Sequence, residues 1–147
     1  MSKRKTVRIK LFDRSLPLPE YKSKGAVAFD VYLRKAVDIQ PRKVVLAPVN
    51  IAMEIPKGYF AMIVARSSLH KQGIMMVNGI GIGDEDFHGD DDEYHMALLN
   101  FTNRGVALEK GERIGQVLII PYTKVEFKSV KKLGNPTRGG FGSTGKR

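Results

Sequence analysis

Four stretches of the 147-residue chain hold residue types whose spacing could do chemistry. DEDFHGDDDE (84–93) packs seven carboxylates into ten residues. As an EF-hand loop it would place Asp84, Asp86 and His88 at positions 1, 3 and 5, and Gly89 at position 6. Position 12 is then His95 instead of a bidentate glutamate, and no helices flank the segment, so that reading fails. A solvated acidic turn between two strands accounts for most of these carboxylates. The approach to it, VNGIGIGD, does not fit so plain a turn. Gly79, Gly81 and Gly83 alternate inside an apolar strand, where glycine normally weakens the structure. Such spacing points to something packed flat against the backbone, with Asp84 delivered at the strand's end. The run is no dinucleotide fingerprint, because Asp84 replaces the third glycine and no helix follows.

ARSSLHKQG (65–73) has two readings. Arg66, Ser67 and Ser68 at the start of a short helix could form an anion site from a guanidinium, hydroxyls and backbone N–H groups. They could equally be a serine N-cap beside a surface arginine, with about two helical turns following. RIGQVLI (113–119) sets Gln116 in an apolar strand, where a buried amide needs partners, structural or ligand. The tail RGGFGSTGKR (138–147) carries the G-x-x-x-x-G-K spacing of a phosphate loop on Gly140, Gly145 and Lys146. Arg147 follows in place of Ser or Thr, and no helix stands behind it. His70, His88 and His95 have no metal-ligand spacing and read as surface residues.

The elements that must position these groups are short strands. TVRIKLF alternates apolar and basic residues, the period of a half-buried strand. AVAFDVYL (26–33), KVVLAPVNIAMEI (43–55), YFAMIVA (59–65), MMVNGIGI (75–82), YHMALLNF (94–101) and IGQVLIIPYTKVEF (114–127) continue the series, separated by turn signals. The pattern predicts an all-β sandwich or barrel with one short helix. One β domain is expected over residues 1–127, followed by a flexible glycine-rich arm over 128–147. The chain has no cysteine, which excludes disulfides, thiolate metal sites and a cysteine nucleophile. The net charge is +10, but the first ten and last twenty residues hold eleven basic groups and no acid, so the body is near neutral. Those ends are solvated tails or contacts for a phosphorylated ligand or nucleic acid. No stretch reaches the roughly 18 apolar residues of a membrane span, and no signal-peptide pattern opens the chain. The expectation is an intracellular protein, cytoplasmic by default.

Taken in order, AVAFDVYL, ARSSLHKQGI, NGIGIGDEDFHGD, GERIGQVLI and RGGFGSTG resemble the five motifs of the trimeric deoxyuridine triphosphatases (dUTPases), over residues 26 to 145. Five motifs in order are far more specific than any one. The resemblance implies a jelly-roll-like β fold, a homotrimer sharing active sites between subunits, and hydrolysis of dUTP to dUMP and pyrophosphate with Mg²⁺. Asp84 matches the water-activating aspartate. Asn78 and the backbone near Gly79 and Gly81 match the hairpin that reads uracil, and Phe87 the aromatic that packs on deoxyribose. Arg66, Ser67, Ser68 and Gln116 match phosphate contacts, and Asp30 the acid that reaches the metal through water. In the tail, Phe141 matches the ring that stacks on uracil and Arg138 the γ-phosphate contact. Gly142, Ser143 and Thr144 match further phosphate donors. Neither a membrane nor nucleic acid is expected as a partner. Gly83 departs from the family's bulky aliphatic, His88 from its Arg or Gln and Gly115 from its Ala, and the run Asp90 to Glu93 is unusually acidic. The competing readings are a regulatory or binding protein with weakened catalysis on the same scaffold, and a relative of the deoxycytidine triphosphate deaminases.

Overall fold

In the computed structural model, which describes residues 4–145, the alternation becomes eleven strands and one turn of 3₁₀ helix. The strands are β1 (Arg8–Leu11), β2 (Phe29–Tyr32), β3 (Val37–Ile39), β4 (Val44–Pro48), β5 (Ile51–Glu54), β6 (Tyr59–Ala65), β7 (Ile74–Met76), β8 (Gly81–Gly83), β9 (His95–Asn100), β10 (Val106–Leu108) and β11 (Arg113–Pro121). Every strand pair is antiparallel. One sheet runs β2-β11-β6-β8 and a second β4-β9-β7, while β1-β5 and β10-β3 are two-stranded ribbons.

Period 2 decides which side chains meet between the sheets. In β9, Met96, Leu98 and Asn100 turn inward while His95 stays exposed. Met96 and Leu98 join Phe29 and Val31 of β2, Ala61 and Ile63 of β6, and Val117 of β11 in one buried cluster. Each large aliphatic held there contributes about 1.5–3 kcal/mol over its exposed state. Asn100 is fully buried, and its amide donates to the carbonyls of Ile39 at 2.8 Å and Arg104 at 2.7 Å, so its burial is compensated.

Two sequence expectations change form. The apolar run 43–55 is two strands, because Asn50 adopts a left-handed φ of 70° between β4 and β5. Asparagine tolerates that region, and here the surroundings enforce it. The Asn50 N–H donates to Glu93 at 3.0 Å, and its side chain exchanges hydrogen bonds with the Asp13 backbone at 2.7 and 3.1 Å. The helix after Arg66 is a single 3₁₀ turn, Leu69–Gln72, not two turns. Ser68 sits at its N-cap without a side-chain hydrogen bond, and Gly73 closes it at φ 79°.

Candidate active site

The motif residues fall into two groups at different places in the sheet β2-β11-β6-β8. In the first, register does the positioning. Asp30 of β2 lies opposite Gln116 of β11, which lies opposite Val64 of β6, and Arg66 follows that strand directly. The Arg66 guanidinium meets the Asp30 carboxylate at 3.4 Å and donates to the Arg113 carbonyl at 3.3 Å. Gln116 donates its amide to the Ala65 carbonyl at 3.3 Å. Ser67 and Ser68 are exposed beside them, and no hydrogen bond among the described residues occupies their hydroxyls.

Arg113 also joins this cluster, with Nη1 3.1 Å from Asp30 Oδ2. The sequence reading missed it. Arg113 and Gln116 are three residues apart, so strict alternation would put them on opposite faces. A register shift between Arg113 and Gly115 breaks that alternation, leaving Ile114 and Gly115 consecutively buried and Arg113 beside Asp30. Gly115 was the available signal, since glycine inside a strand often marks a bulge. Any side chain there would run into Met96 Sδ, 2.3 Å from the Cβ position. Two guanidiniums on one carboxylate, with the Gln116 amide on the adjacent strand and two exposed hydroxyls just after Arg66, can take phosphate oxygens.

The second group surrounds the turn between β7 and β8. MMVNGIGI is therefore a hairpin, not one strand. Val77 extends the pairing of β7 by donating to the Ala97 carbonyl at 2.9 Å; Gly79 then closes the turn at φ 72°, its N–H on the Met76 carbonyl at 3.0 Å. Asn78 and Gly79 stand exposed at its tip. What lies against the other two glycines is this chain's own core. A Cβ on Gly81 would meet Ile63 at 2.3 Å, and one on Gly83 would meet the Tyr94 hydroxyl at 2.0 Å. A groove of about 450 Å³ opens beside the hairpin, walled by Asn78, Gly81, Phe87, Tyr94, Leu46 and His95. Asp84 lines the adjoining groove of about 550 Å³ on the other flank of β8. A turn joins the two, with the Phe87 N–H donating to the Asp84 carbonyl at 3.1 Å.

The acidic segment is not one solvated turn. Glu93 is buried, with its carboxylate against Arg34 Nε at 2.8 Å and Nη2 at 2.9 Å. Glu85 accepts hydrogen bonds from the Tyr122 hydroxyl and from the Gly58 N–H at 2.9 Å, anchoring the turn that carries Asp84. The Tyr122 hydrogen bond, then that of Gly58, holds the Glu85 carboxyl below its ordinary range. Tyr94 is buried, and its hydroxyl has no partner among the described residues. Burial first, then the charges of Asp84 and Asp92, push its phenol up to about 12. A hydroxyl so placed costs about 1–3 kcal/mol. His70, His88 and His95 are exposed, as expected.

Register sets how far apart the two groups lie. Gly83 pairs with Ala61, so Asp84 stands level with Phe60, six residues along β6 from Arg66. At the strand rise of about 3.3 Å per residue, the separation is ~20 Å. Among the described residues, no hydrogen bond or ion pair ties the tail to either group. Arg138, Phe141, Gly142, Ser143 and Thr144 are exposed, and their segment's backbone hydrogen bonds, Ser143 to Gly140 and Gly145 to Gly142, are local. Lys146 and Arg147 lie outside the described residues.

A dUTPase family model matches residues 14–145 of this chain. The chain belongs to the dUTPase family. A deoxyuridine 5'-triphosphate nucleotidohydrolase of Hydrogenobaculum sp. (strain Y04AAS1) is 40% identical over 141 residues, covering 93% of this chain and 96% of its own. One from Dictyoglomus turgidum is 34% identical over 146 residues, covering 95% and 97%. Among solved structures, Staphylococcus bacteriophage 80alpha dUTPase with dUPNHPP superposes with a TM-score of 0.84 over 97% of this chain and 99% of that one. At 22% identity the likeness is one of fold. Members of the family generally use a divalent metal ion. Among the described residues no group of three or more His, Asp or Glu side chains could hold one alone. Asp30, the one carboxylate of the first group, suits an ion held mainly by water and phosphate oxygens. No described helix is long and apolar enough to cross a membrane.

Proposed function

We propose that the chain is a dUTP diphosphatase, using Mg²⁺ to hydrolyse dUTP to dUMP and pyrophosphate. The observation that carries this reading is the register-built cluster of Asp30, Arg66, Arg113 and Gln116, which offers a triphosphate converging charged and amide donors. Asn78 and the turn backbone at Gly79 and Gly81 recognise uracil, and Phe87 faces the deoxyribose. Asp84 accepts a proton from a water whose oxygen bonds to the α-phosphorus as the bond to the α,β-bridging oxygen breaks; pyrophosphate leaves with that oxygen. Mg²⁺ would be held by the phosphates and, through water, by Asp30, and would supply charge neutralisation there.

The second part of the proposal is a homotrimer whose sites combine groups from different subunits. Its support is the ~20 Å that strand rise sets between Asp84 and Arg66, more than the phosphates of one nucleotide bridge. Val44, Leu46, Met75, Val77, Ile80 and Ile82 also leave an apolar face exposed on the β4-β9-β7 sheet and the hairpin. Apolar surface gathered in this way marks association sites. The segment 128–147 then acts as an arm that closes over bound nucleotide, Phe141 on the base and Arg138 on the γ-phosphate.

Pyrophosphate release from dUTP, dCTP, dTTP and UTP, each with Mg²⁺ and with chelator, tests the reaction. Release from dUTP alone, lost on chelation, is the expected result. Ammonia from dCTP would favour a deaminase, and silence with all four a binding protein. Solution mass tests the trimer.

A further inference from the structure

We infer that Tyr94 is a positioning residue for sugar selection, the prop on which Phe87 rests. This rests on the reading of Phe87 as the sugar-facing group. Phe87 is 37% exposed, with one side open to the groove it shares with Asn78. Its inner contact is the Tyr94 ring, edge-on at 5.3 Å between centroids and 72° between planes. A floor that excludes a 2′-hydroxyl by bulk works only if it cannot sink, so whatever stands beneath Phe87 sets the discrimination.

The Tyr94 backbone is fixed on both sides. Its N–H donates to the Ile51 carbonyl at 2.9 Å, and its own carbonyl accepts from Val49 at 3.0 Å. Its neighbour Glu93 is clamped by Nε and Nη2 of Arg34 and by the Asn50 N–H. The far end of the ring fills the place of a side chain at position 83: the hydroxyl and two ring carbons lie 2.0, 2.6 and 2.6 Å from where that Cβ would be. Gly83 and Tyr94 are therefore one size-matched pair. A large residue just before β9 occupies space that β8 leaves empty, directly before the proposed general base and under the sugar-facing ring. The hydroxyl contributes no hydrogen bond to this packing, so the ring is the part that props.

Three variants and a control test the inference through the ratio of kcat/KM for dUTP to that for UTP. Tyr94→Ala lowers the ratio about tenfold, the scale at which pocket bulk discriminates. Tyr94→Phe keeps it within about twofold, since the ring remains. Gly83→Ala lowers it in the wild-type background but adds nothing in Tyr94→Ala, where the clash is gone. General loss of stability slows both substrates alike and leaves the ratio unchanged. Should Tyr94→Ala fail to fold, Tyr94→Leu is read instead, because it keeps bulk without the ring. An unchanged ratio in the folded Tyr94 variant overturns the inference. The control is Phe87→Ala: if the ratio does not move there, the reading of Phe87 fails, and with it any prop acting through Phe87. If the ratio moves there and not at Tyr94, only the prop is lost.

Discussion

The cluster of Asp30, Arg66, Arg113 and Gln116 and the segment from Arg138 to Thr144 offer an anion similar chemistry under opposite conditions. Both combine guanidinium charge with polar donors. The cluster is assembled before any ligand arrives, because β2, β11 and β6 are registered by backbone hydrogen bonds and the arginines are already turned onto Asp30. The tail has no such frame. Phe141 holds a left-handed φ of 51° with its ring fully exposed, and Gly139 and Gly142 beside it have φ of 88° and 89°. The difference separates two costs of binding. On the proposed reading, the cluster met its ordering cost on folding, whereas the tail would meet that cost only on binding ligand.

The largest expected effect separates chemistry from binding at both places. Asp84→Asn should cut turnover by roughly 10²–10⁴ while dUTP affinity holds, since only proton acceptance is lost. In that variant, dUTP with Mg²⁺ should protect the tail from trypsin at Lys131, Lys132 and Arg138. Turnover like wild type would remove Asp84 from its role. Truncation after Asn135 comes next. It should reduce kcat/KM about 100-fold with the melting temperature unchanged, because among the described residues no tail hydrogen bond reaches the β body. A fallen melting temperature would make the tail part of the folded frame and erase the comparison. Arg113→Ala should reduce kcat/KM for dUTP about tenfold, as for a lost charge-assisted hydrogen bond. No change would confine Arg113 to fixing Asp30.

The smallest effect concerns the other group. The Tyr94 phenol has its ordinary value of 10.0 in the unfolded chain and about 12 in the folded one. Between these values the folded chain keeps a proton that the unfolded chain loses, so stability is present below pH 10 and falls as pH rises through the window. Tyr94→Phe should remove about 2 kcal/mol of that alkaline loss and raise the pH midpoint of base unfolding. An unmoved midpoint would mean that the phenol does not report on its buried setting.

Much of this was legible in the sequence, for physical reasons that also mark where legibility stopped. Alternation announces the strands because one face of each is buried, and β9 shows it cleanly. The strands β3 and β10, three residues each, are too short to leave a period. The run 43–55 read as continuous because the partners that hold Asn50 left-handed, Asp13 and Glu93, are distant in sequence. The extra helical turn after Ser68 was misread because the local signals for a cap are present while its hydrogen bond is not. Motif order singled out Asp30, Arg66, Asp84, Phe87 and Gln116, and the first, second and last of these lie together in the fold. Arg113 escaped because a bulge reverses the face it occupies. Glu85, Glu93 and Tyr94 escaped because nothing in a charge run says which member turns inward. The alternating glycines signalled a close approach correctly, but at Gly81 and Gly83 the approaching groups are Ile63 and Tyr94.

The position of Asp84 along β6 has a consequence for how defects combine. On the proposed reading, a chain lacking Asp84 and a chain lacking Arg66 are each inactive, yet co-assembled they regain sites in which every group is present. A single defective copy, in turn, spoils sites to which intact chains contribute. Dilution below the assembly threshold should abolish turnover with each chain still folded. On that reading, six residues' length along one strand would make activity a property of protein concentration and of the mixture of copies in which each chain finds itself.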